Sequence, residues 1–133
     1  MNKQNIFIGL GLLLLLALGG RALYPRQEPV VVVDDSEAGI GHAVTESGVT
    51  ITPLEVLEDS RCPSDVQCIW AGTVKLRATL KDASGTSEQI FELGQPVTTE
   101  AEVITLTEVT PYPKSGEIIS TPQYVFRFQI SKR

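Results

Sequence analysis

Residues 74–85 of the chain are VKLRATLKDASG, in which apolar and polar residues alternate up to residue 81. Such a period of two is typical of a β-strand that buries one face and leaves the other in water. The residues that follow, 82–85, are typical of a tight turn. This segment therefore predicts a half-buried strand that ends in a turn.

A second strand of this kind is predicted near the carboxyl end of the chain, where residues 124–131 are YVFRFQIS. Its three aromatic residues and one isoleucine share a face, which must point to the core. These residues are Tyr124, Phe126, Phe128 and Ile130. Weaker strands are predicted at residues 88–93 and 102–109. An early strand begins at Val49 and changes parity at Pro53, which predicts a bulge there because proline cannot donate to a ladder hydrogen bond.

The whole pattern indicates an all-β domain. No segment after residue 25 shows a helical stripe with caps, whereas about six or seven short strands alternate with turn residues. Such strands are typical of an antiparallel β-sandwich, such as the immunoglobulin-like type, or of a small barrel. The sandwich is favoured, although sequence pattern alone does not decide whether the strands close into a barrel. The β domain is predicted to occupy residues 44–133, preceded by one apolar helix at the amino terminus.

The apolar amino terminus, residues 1–24, is predicted to be either a cleaved signal peptide or a transmembrane signal anchor. Its uncharged core, residues 6–20, lies between Lys3 and Arg21. A helix of this core rises about 22 Å, less than the roughly 30 Å of a bilayer interior, and extension to Tyr24 brings it close to a full span. Small residues before Arg21 suit a signal peptidase, so both alternatives stay open.

Residues 25–43 are predicted to form a flexible linker, since they are rich in proline, glycine and acidic side chains. The valine run at residues 30–33 is the exception, because exposed β-branched residues invite pairing as an added edge strand. The acidic run at residues 34–37 lacks the ligand spacing and the turn glycine of a calcium loop. It is interpreted as solvated linker, and no metal site is predicted.

Charge and composition exclude several classes of function. The 133 residues carry 11 Lys and Arg against 16 Asp and Glu, a net charge of −5. Without a basic patch, a nucleic-acid partner is excluded. Residues 44–133 contain no histidine, so a serine or cysteine nucleophile there lacks its usual base, and the sequence has no cofactor fingerprint. We therefore predict a protein that is not an enzyme and needs no cofactor.

The most distinctive local feature is residues 58–72, EDSRCPSDVQCIWAG, which contain both cysteines of the chain. A disulfide between Cys62 and Cys68 closes a loop of about seven residues, and the chain-entropy model assigns it about 2.4 kcal/mol. Disulfides persist mainly outside the cytosol. The pair therefore predicts an extracytoplasmic β domain, either held at the cell membrane in a single-pass protein or secreted after cleavage.

Two interpretations stay open for most residues of this segment. Asp59 either caps a turn while Arg61 covers the disulfide or pairs with Asp65, or Arg61 contacts a ligand. Trp70 either packs in the core or on the disulfide, or it is an exposed anchor for a partner. Gly72 is predicted to allow close approach of the next strand and to adopt a positive φ angle.

The segment resembles an uncharacterised family of small bacterial secreted or lipid-anchored domains. These carry Asp-Ser-Arg-Cys-Pro, a short variable step and then Cys-(Ile/Val)-Trp-Ala-Gly, matched here by residues 59–63 and 68–72. The general layout is similar between residues 44 and 131. The resemblance implies an exported β-rich domain, with no activity attached to it. Where lipid-anchored members are expected to have a cysteine, this chain has Gly19-Gly20-Arg21, which favours a helical anchor.

These features together predict a non-catalytic binding or adaptor module, because rigid β scaffolds present ligand contacts on loops. The predicted binding surface joins residues 59–72 to residues 110–120, and its contacts are Asp59, Arg61, Trp70 and Tyr112. The expected partners are the membrane, through the amino-terminal helix, and an unknown protein or envelope ligand. The alternatives are an inhibitor that inserts residues 110–115 into an extracytoplasmic peptidase, and a purely architectural envelope protein.

Overall fold

The computed structural model describes residues 34–133, with side chains from residue 36 onward. Three predictions fall outside the described residues: the amino-terminal helix, the choice between signal peptide and membrane anchor, and the edge strand at residues 30–33. Within residues 34–133, no helix is long and apolar enough to cross a membrane. This part of the chain is all-β, which confirms the predicted class.

The described residues form eight strands. The strands are β1 (Asp34–Gly39), β2 (Val44–Glu46), β3 (Val49–Asp59), β4 (Val74–Asp82), β5 (Gly85–Glu92), β6 (Pro96–Thr98), β7 (Glu102–Thr110) and β8 (Val125–Lys132). One short 3-10 helix, Thr121–Gln123, precedes β8. Both of the clearest predicted strands are present, as β4 and β8.

The strands form two antiparallel sheets of four strands each, in the orders β1-β8-β7-β6 and β2-β3-β4-β5. The sheets share one core, in which Phe91 of β5 meets Phe128 of β8 edge to face with ring centroids 5.4 Å apart. A closed barrel, one of the two predicted architectures, is not formed by residues 34–133. The core therefore lies between two open sheets.

The core is built from the strand faces that the alternation predicts. In β4, the apolar residues from Val74 to Leu80 are buried, and the polar residues between them are not. In β8, the predicted aromatic face is buried in the same way. The buried core side chains are Ala38, Val49, Ile51, Val74, Leu76, Ala78, Leu80, Phe91, Ile104, Leu106, Val109, Tyr124, Phe126, Phe128 and Ile130.

Residues 34–39 form β1 and not the flexible linker that their acidic composition predicted. β1 pairs antiparallel with β8 along its whole length and places Ala38 in the core. Its acidic side chains are compatible with a strand because Glu37 forms an ion pair with Arg127 of the neighbouring strand. The linker prediction is therefore wrong for residues 34–39, whereas residues 25–33 lie outside the described residues.

Three shifts interrupt the register of the long strands. The pairing of β3 with β4 shifts between Pro53 and Glu55, which confirms the bulge predicted at Pro53, and again between Val56 and Glu58. The pairing of β7 with β8 shifts between Leu106 and Glu108. A bulge changes which face the following residues point to. The three shifts therefore set which side chains β3 and β7 present where they end.

Two long loops leave the sheets at the same end. The cysteine loop, residues 60–73, joins β3 to β4, and the proline loop, residues 111–124, joins β7 to β8. The chain enters β1 at the opposite end, because Asp34 pairs with Ile130, close to the carboxyl end of β8. The fold therefore has one end that carries the long loops and another that receives the incoming chain.

Candidate functional site

The cysteine loop and the proline loop are joined to each other by hydrogen bonds. The Ser64 amide donates to the Pro113 carbonyl at 2.9 Å, and the Ser115 amide donates to a carboxylate oxygen of Asp65 at 2.8 Å. Asp65 therefore bonds to the proline loop, which corrects the pairing with Arg61 considered from the sequence. The structure brings the two predicted loop segments together.

The two limbs of the cysteine loop continue the pairing of β3 with β4. The Ser60 amide donates to the Thr73 carbonyl at 2.8 Å, and the Cys62 amide donates to the Ala71 carbonyl at 3.3 Å. Gly72 lies between these pairs with a φ angle of +66°, as predicted. A Cβ atom there would lie 1.8 Å from the Ser60 carbonyl oxygen, so this close approach requires glycine.

The cysteine pair closes the tip of the cysteine loop. The Sγ atoms of Cys62 and Cys68 lie 2.15 Å apart, at disulfide distance, and their Cα atoms lie 5.9 Å apart. In the chain-entropy model such a cross-link stabilises the folded chain by about 2.4 kcal/mol. The pair therefore holds residues 63–67 in a small ring next to the proline loop.

Asp59 and Arg61 form a buried ion pair beneath the two loops. The side chain of Arg61 is 6% exposed and that of Asp59 is 13% exposed. The Nε and Nη2 groups of Arg61 donate to the two carboxylate oxygens of Asp59 at 2.8 Å and 2.7 Å, which is a bidentate geometry. The Arg61 side chain therefore lies beneath the loops and positions them, and its predicted contact with a ligand remains a prediction.

Arg61 also reaches the opposite sheet. Its Nη1 group donates to the Val109 carbonyl, and its Nη2 group donates to the Pro111 carbonyl at 3.0 Å. The Arg61 Cζ atom lies 5.6 Å from the centroid of the Tyr112 ring, within the range of a cation–π contact. Arg61 thereby fixes the start of the proline loop against the end of β3.

Tyr124 completes this polar cluster from the end of the proline loop. Its hydroxyl donates to Oδ2 of Asp59 at 2.9 Å. Burial and this hydrogen bond raise the pKa of Tyr124 to about 12. Burial alone would raise the pKa of Asp59, but hydrogen bonds from Arg61 and Tyr124 outweigh it and hold that pKa below its ordinary value. We call Asp59, Arg61 and Tyr124 the buried lock.

Both loops expose large apolar side chains. On the cysteine loop, Ile69 is 91% exposed and Trp70 is 81% exposed; on the proline loop, Ile118 is 95% exposed. Val66 and Tyr112 are about half exposed. We call these five residues the apolar loop surface. The exposure of Trp70 shows that it is not a core residue, and its roles on the disulfide or as an anchor for a partner remain predictions.

Sequence reasoning identified the aromatic members of this surface and missed the aliphatic ones. Ile69 and Ile118 carried a signal, because neither belongs to a period-two run and an apolar residue outside such a run has no strand face to bury it. The hydroxyl contact of Tyr124 was also missed. Its partner, Asp59, is 65 residues away along the chain, so the local sequence pattern does not predict this hydrogen bond.

A shallow polar depression of about 410 Å³ lies beside the proline loop. Its lining residues are Thr107, Glu108, Tyr112, Arg127 and Gln129. It shares Tyr112 with the apolar loop surface and gives that surface a polar rim on one side. Among the described residues, no group of three or more His, Cys, Asp and Glu side chains is placed to hold a metal ion.

Comparison of the chain with models of protein families, with curated proteins and with solved structures finds no match. Two observations on the described residues therefore bear on function. One is the apolar loop surface, which collects exposed apolar side chains from two loops. The other is the buried lock, which holds both loops in place from below.

Proposed function

We propose that this chain is a non-catalytic extracytoplasmic binding or adaptor module whose ligand contacts lie on the apolar loop surface. The observation that carries the proposal is the exposure of Val66, Ile69, Trp70, Tyr112 and Ile118 on two loops that are bonded together. Large exposed apolar side chains on two loops that are bonded together are typical of an interaction site. The module is held in the cell membrane by residues 1–24, or is secreted after their cleavage.

The two loops are preorganised in the free protein. The Cys62–Cys68 link, the Ser64–Pro113 hydrogen bond and the contacts of Arg61 restrict both loops in the free protein. Fixed loops lose little conformational entropy on association, which favours tight binding. Tryptophan and tyrosine are enriched among residues that dominate interface energies. Trp70 and Tyr112 are therefore the proposed anchors of the contact.

The fold and the motif support an exported module. Two four-stranded antiparallel sheets with a shared core support an immunoglobulin-like sandwich as the scaffold. Residues 59–63 and 68–72 support a relationship with the exported bacterial domains that they resemble. A cysteine pair at disulfide distance supports maturation outside the cytosol.

The polar groups of the site support binding in preference to catalysis. The residues of the buried lock form hydrogen bonds with one another beneath the surface, where a substrate does not reach them. A peptidase inhibitor lays the backbone of its loop into the substrate groove. Here the carbonyls of Pro111 and Pro113 already accept hydrogen bonds from the cysteine loop. This disfavours the inhibitor alternative.

Site-specific photo-crosslinking in living cells tests the proposal. A photoreactive amino acid replaces Ile69 or Ile118 in the full chain, and Ile90, which is 57% exposed on β5, is the matched control position. We expect discrete adducts from the two loop positions and none from Ile90. Addition of Trp70→Ser should remove the loop adducts. Equal adducts from all three positions, or none from either loop, would contradict the proposal.

A further inference from the structure

We propose that the polar depression beside Tyr112 binds an uncharged carbohydrate, with one face of a sugar ring against the Tyr112 ring. This site goes beyond the proposed function, because it lies on the outer face of a sheet and not on the tips of the loops. It shares only Tyr112 with the apolar loop surface. A partner on that surface and a sugar in the depression are therefore separate contacts.

The depression lies on the outer face of the sheet β1-β8-β7-β6. Arg127 and Gln129 alternate with buried residues of β8, so their side chains point away from the core. On β7, Thr107 and Glu108 are consecutive, and neither is buried, although the residues on both sides of them are. Strict alternation would bury one of the two. The register shift between Leu106 and Glu108 therefore brings two consecutive polar side chains to the same face.

Tyr112 supplies an aromatic wall to this depression. Its position is restricted, because it lies between Pro111 and Pro113 and because the guanidinium of Arg61 lies over its ring, 5.6 Å from the centroid. The residue is nevertheless 58% exposed, so ring surface remains open to a ligand. The C–H groups on one face of a sugar ring carry partial positive charge and pack against the negative face of an aromatic ring.

The two charged groups that line the depression are paired with each other. The Nη1 group of Arg127 donates to Oε2 of Glu108, and its Nη2 group forms an ion pair with Glu37 of β1. An anionic ligand would compete with these carboxylates for Arg127, and a cationic ligand would compete with Arg127 for Glu108. The hydroxyl groups of an uncharged sugar can instead donate to the carboxylate while the ion pair stays intact.

Other polar groups of the depression retain capacity for hydrogen bonds. Within residues 34–133, neither the Gln129 amide nor the Tyr112 hydroxyl has a hydrogen-bond partner. The Thr107 hydroxyl donates to the Arg127 carbonyl at 3.1 Å, and its oxygen can still accept a hydrogen bond. A glutamine amide presents a donor and an acceptor side by side. This pair matches two neighbouring hydroxyl groups of a sugar, each of which both donates and accepts.

The floor of the depression favours a sugar over an extended peptide. A peptide that adds to a sheet binds mainly through main-chain hydrogen bonds at a free edge. Arg127 and Gln129 stand on β8, where each has a partner residue on β1 and another on β7. This strand therefore has no free edge there, and recognition must come from side chains. The volume of about 410 Å³ lies within the range of small-molecule sites, roughly 300–1,000 Å³.

Binding to a printed array of neutral, acidic and amino oligosaccharides tests the class of ligand. The full chain is applied in a detergent that has no sugar headgroup. We expect it to bind neutral oligosaccharides, and we expect Gln129→Ala to weaken this binding at least tenfold. Gln95→Ala is the matched control, because Gln95 is an exposed glutamine in the turn between β5 and β6. A preference for acidic or amino sugars, or no binding to any sugar, would overturn the proposal.

The aromatic wall gives a second readout, with the neutral oligosaccharide that the array binds most strongly. Tyr112→Leu removes the ring and should weaken binding at least tenfold, whereas Tyr112→Phe keeps the ring and should lose less. Trp70→Ser should bind like the wild type, and urea unfolding checks that each variant is folded. In the wild type, saturation-transfer NMR should show the protons of one sugar face closest to the protein. Unchanged binding by Tyr112→Leu, or equal transfer to both faces, would overturn the proposal. Neither result would alter the crosslinks expected from Ile69 and Ile118, so the proposed function is tested separately.

Discussion

At the scale of single residues, the loop end of the molecule depends on one guanidinium group. Arg61 donates to both carboxylate oxygens of Asp59 and to the carbonyls of Val109 and Pro111. These acceptors come from both sheets, so one side chain joins the layers at this end. Lysine carries the same charge, but it lacks the planar fork that binds a carboxylate bidentately.

We therefore expect Arg61→Lys to lower the free energy of unfolding by about 3 kcal/mol, because it leaves buried acceptors without donors. Arg77→Lys is the matched control. Arg77 pairs with Glu55 at 2.8 Å, but both side chains are about half exposed. Exposed ion pairs contribute less than about 1 kcal/mol, so the control should change little. Urea unfolding measures both variants, and similar losses would contradict a special role for Arg61.

Tyr124→Phe removes the hydroxyl that donates to Asp59. Near neutral pH we expect the wild type to be more stable than this variant by about 1.5 kcal/mol, since the acceptor is charged. The pKa of Tyr124 is raised to about 12 in the folded chain, whereas an unfolded tyrosine titrates near about 10. This stabilisation is complete below the unfolded pKa and is lost as pH rises through the folded pKa.

The difference between wild type and Tyr124→Phe should therefore shrink between about pH 10 and pH 12, as measured by urea unfolding at a series of pH values. Tyr112→Phe is the control, because the Tyr112 side chain is mostly exposed and is not part of the buried lock. That variant should retain the alkaline loss of stability. A stability difference that stays constant across this range would show that the Tyr124 hydroxyl does not carry the effect.

At the scale of elements, the shape of the cysteine loop depends on the approach of its two limbs at Gly72. Gly72→Ala adds a Cβ atom 1.8 Å from the Ser60 carbonyl oxygen, a backbone atom that cannot move alone. Gly94→Ala is the matched control, since Gly94 has a φ angle of +80° and no atom within 4 Å of an added Cβ. Both variants carry the left-handed backbone penalty of about 1–2 kcal/mol. Only in Gly72→Ala does the added Cβ atom also overlap with another backbone atom.

We expect Gly72→Ala to cost at least about 3 kcal/mol in urea unfolding and Gly94→Ala about 1 kcal/mol. Gly72→Ala should also release the apolar loop surface from its fixed position. Faster amide hydrogen exchange in the cysteine loop, measured on the folded variant, reports this change. An equal decrease in the free energy of unfolding of the two variants would show that the two limbs of the cysteine loop move apart at no energetic cost.

The elements also show how far sequence pattern reaches. The buried faces of β4 and β8 are predictable, because period two is a direct consequence of the strand pleat. The bulge at Pro53 is predictable as well, since proline has no amide hydrogen to donate. β1 is not predictable from its acidic residues, because its pairing depends on β8, far along the chain.

The candidate site also contains residues that the sequence predicts and residues that it does not. Trp70, Tyr112 and the glycine at residue 72 stand out in the sequence by residue type alone. The buried lock does not, since Arg61 bonds to carbonyls 48 and 50 residues away. Long-range partners of this kind are set by how the two sheets meet. Residue type therefore predicts the exposed anchors, and only the fold reveals what positions them.

At the scale of the whole molecule, β1 joins the amino-terminal part of the chain to the sheet that carries the proline loop. β1 covers the edge of β8, contributes Ala38 to the core and supplies Glu37 to the ion pair with Arg127. Loss of this strand would expose the ladder groups of β8 along a free edge. The amino-terminal boundary of the folding unit should therefore lie at or before residue 34.

Two truncated chains test this boundary. We expect a chain of residues 34–133 to unfold cooperatively, and a chain of residues 41–133 to be less stable by roughly 3 kcal/mol, because several ladder hydrogen bonds and buried apolar area are lost. Urea unfolding, with far-ultraviolet circular dichroism as the signal, measures both. The shorter chain should also associate through the uncovered edge of β8, which size-exclusion chromatography detects. Equal midpoints and equal elution would mean that residues 34–40 act as the tether that their composition predicted, and that β8 needs no neighbour on that side.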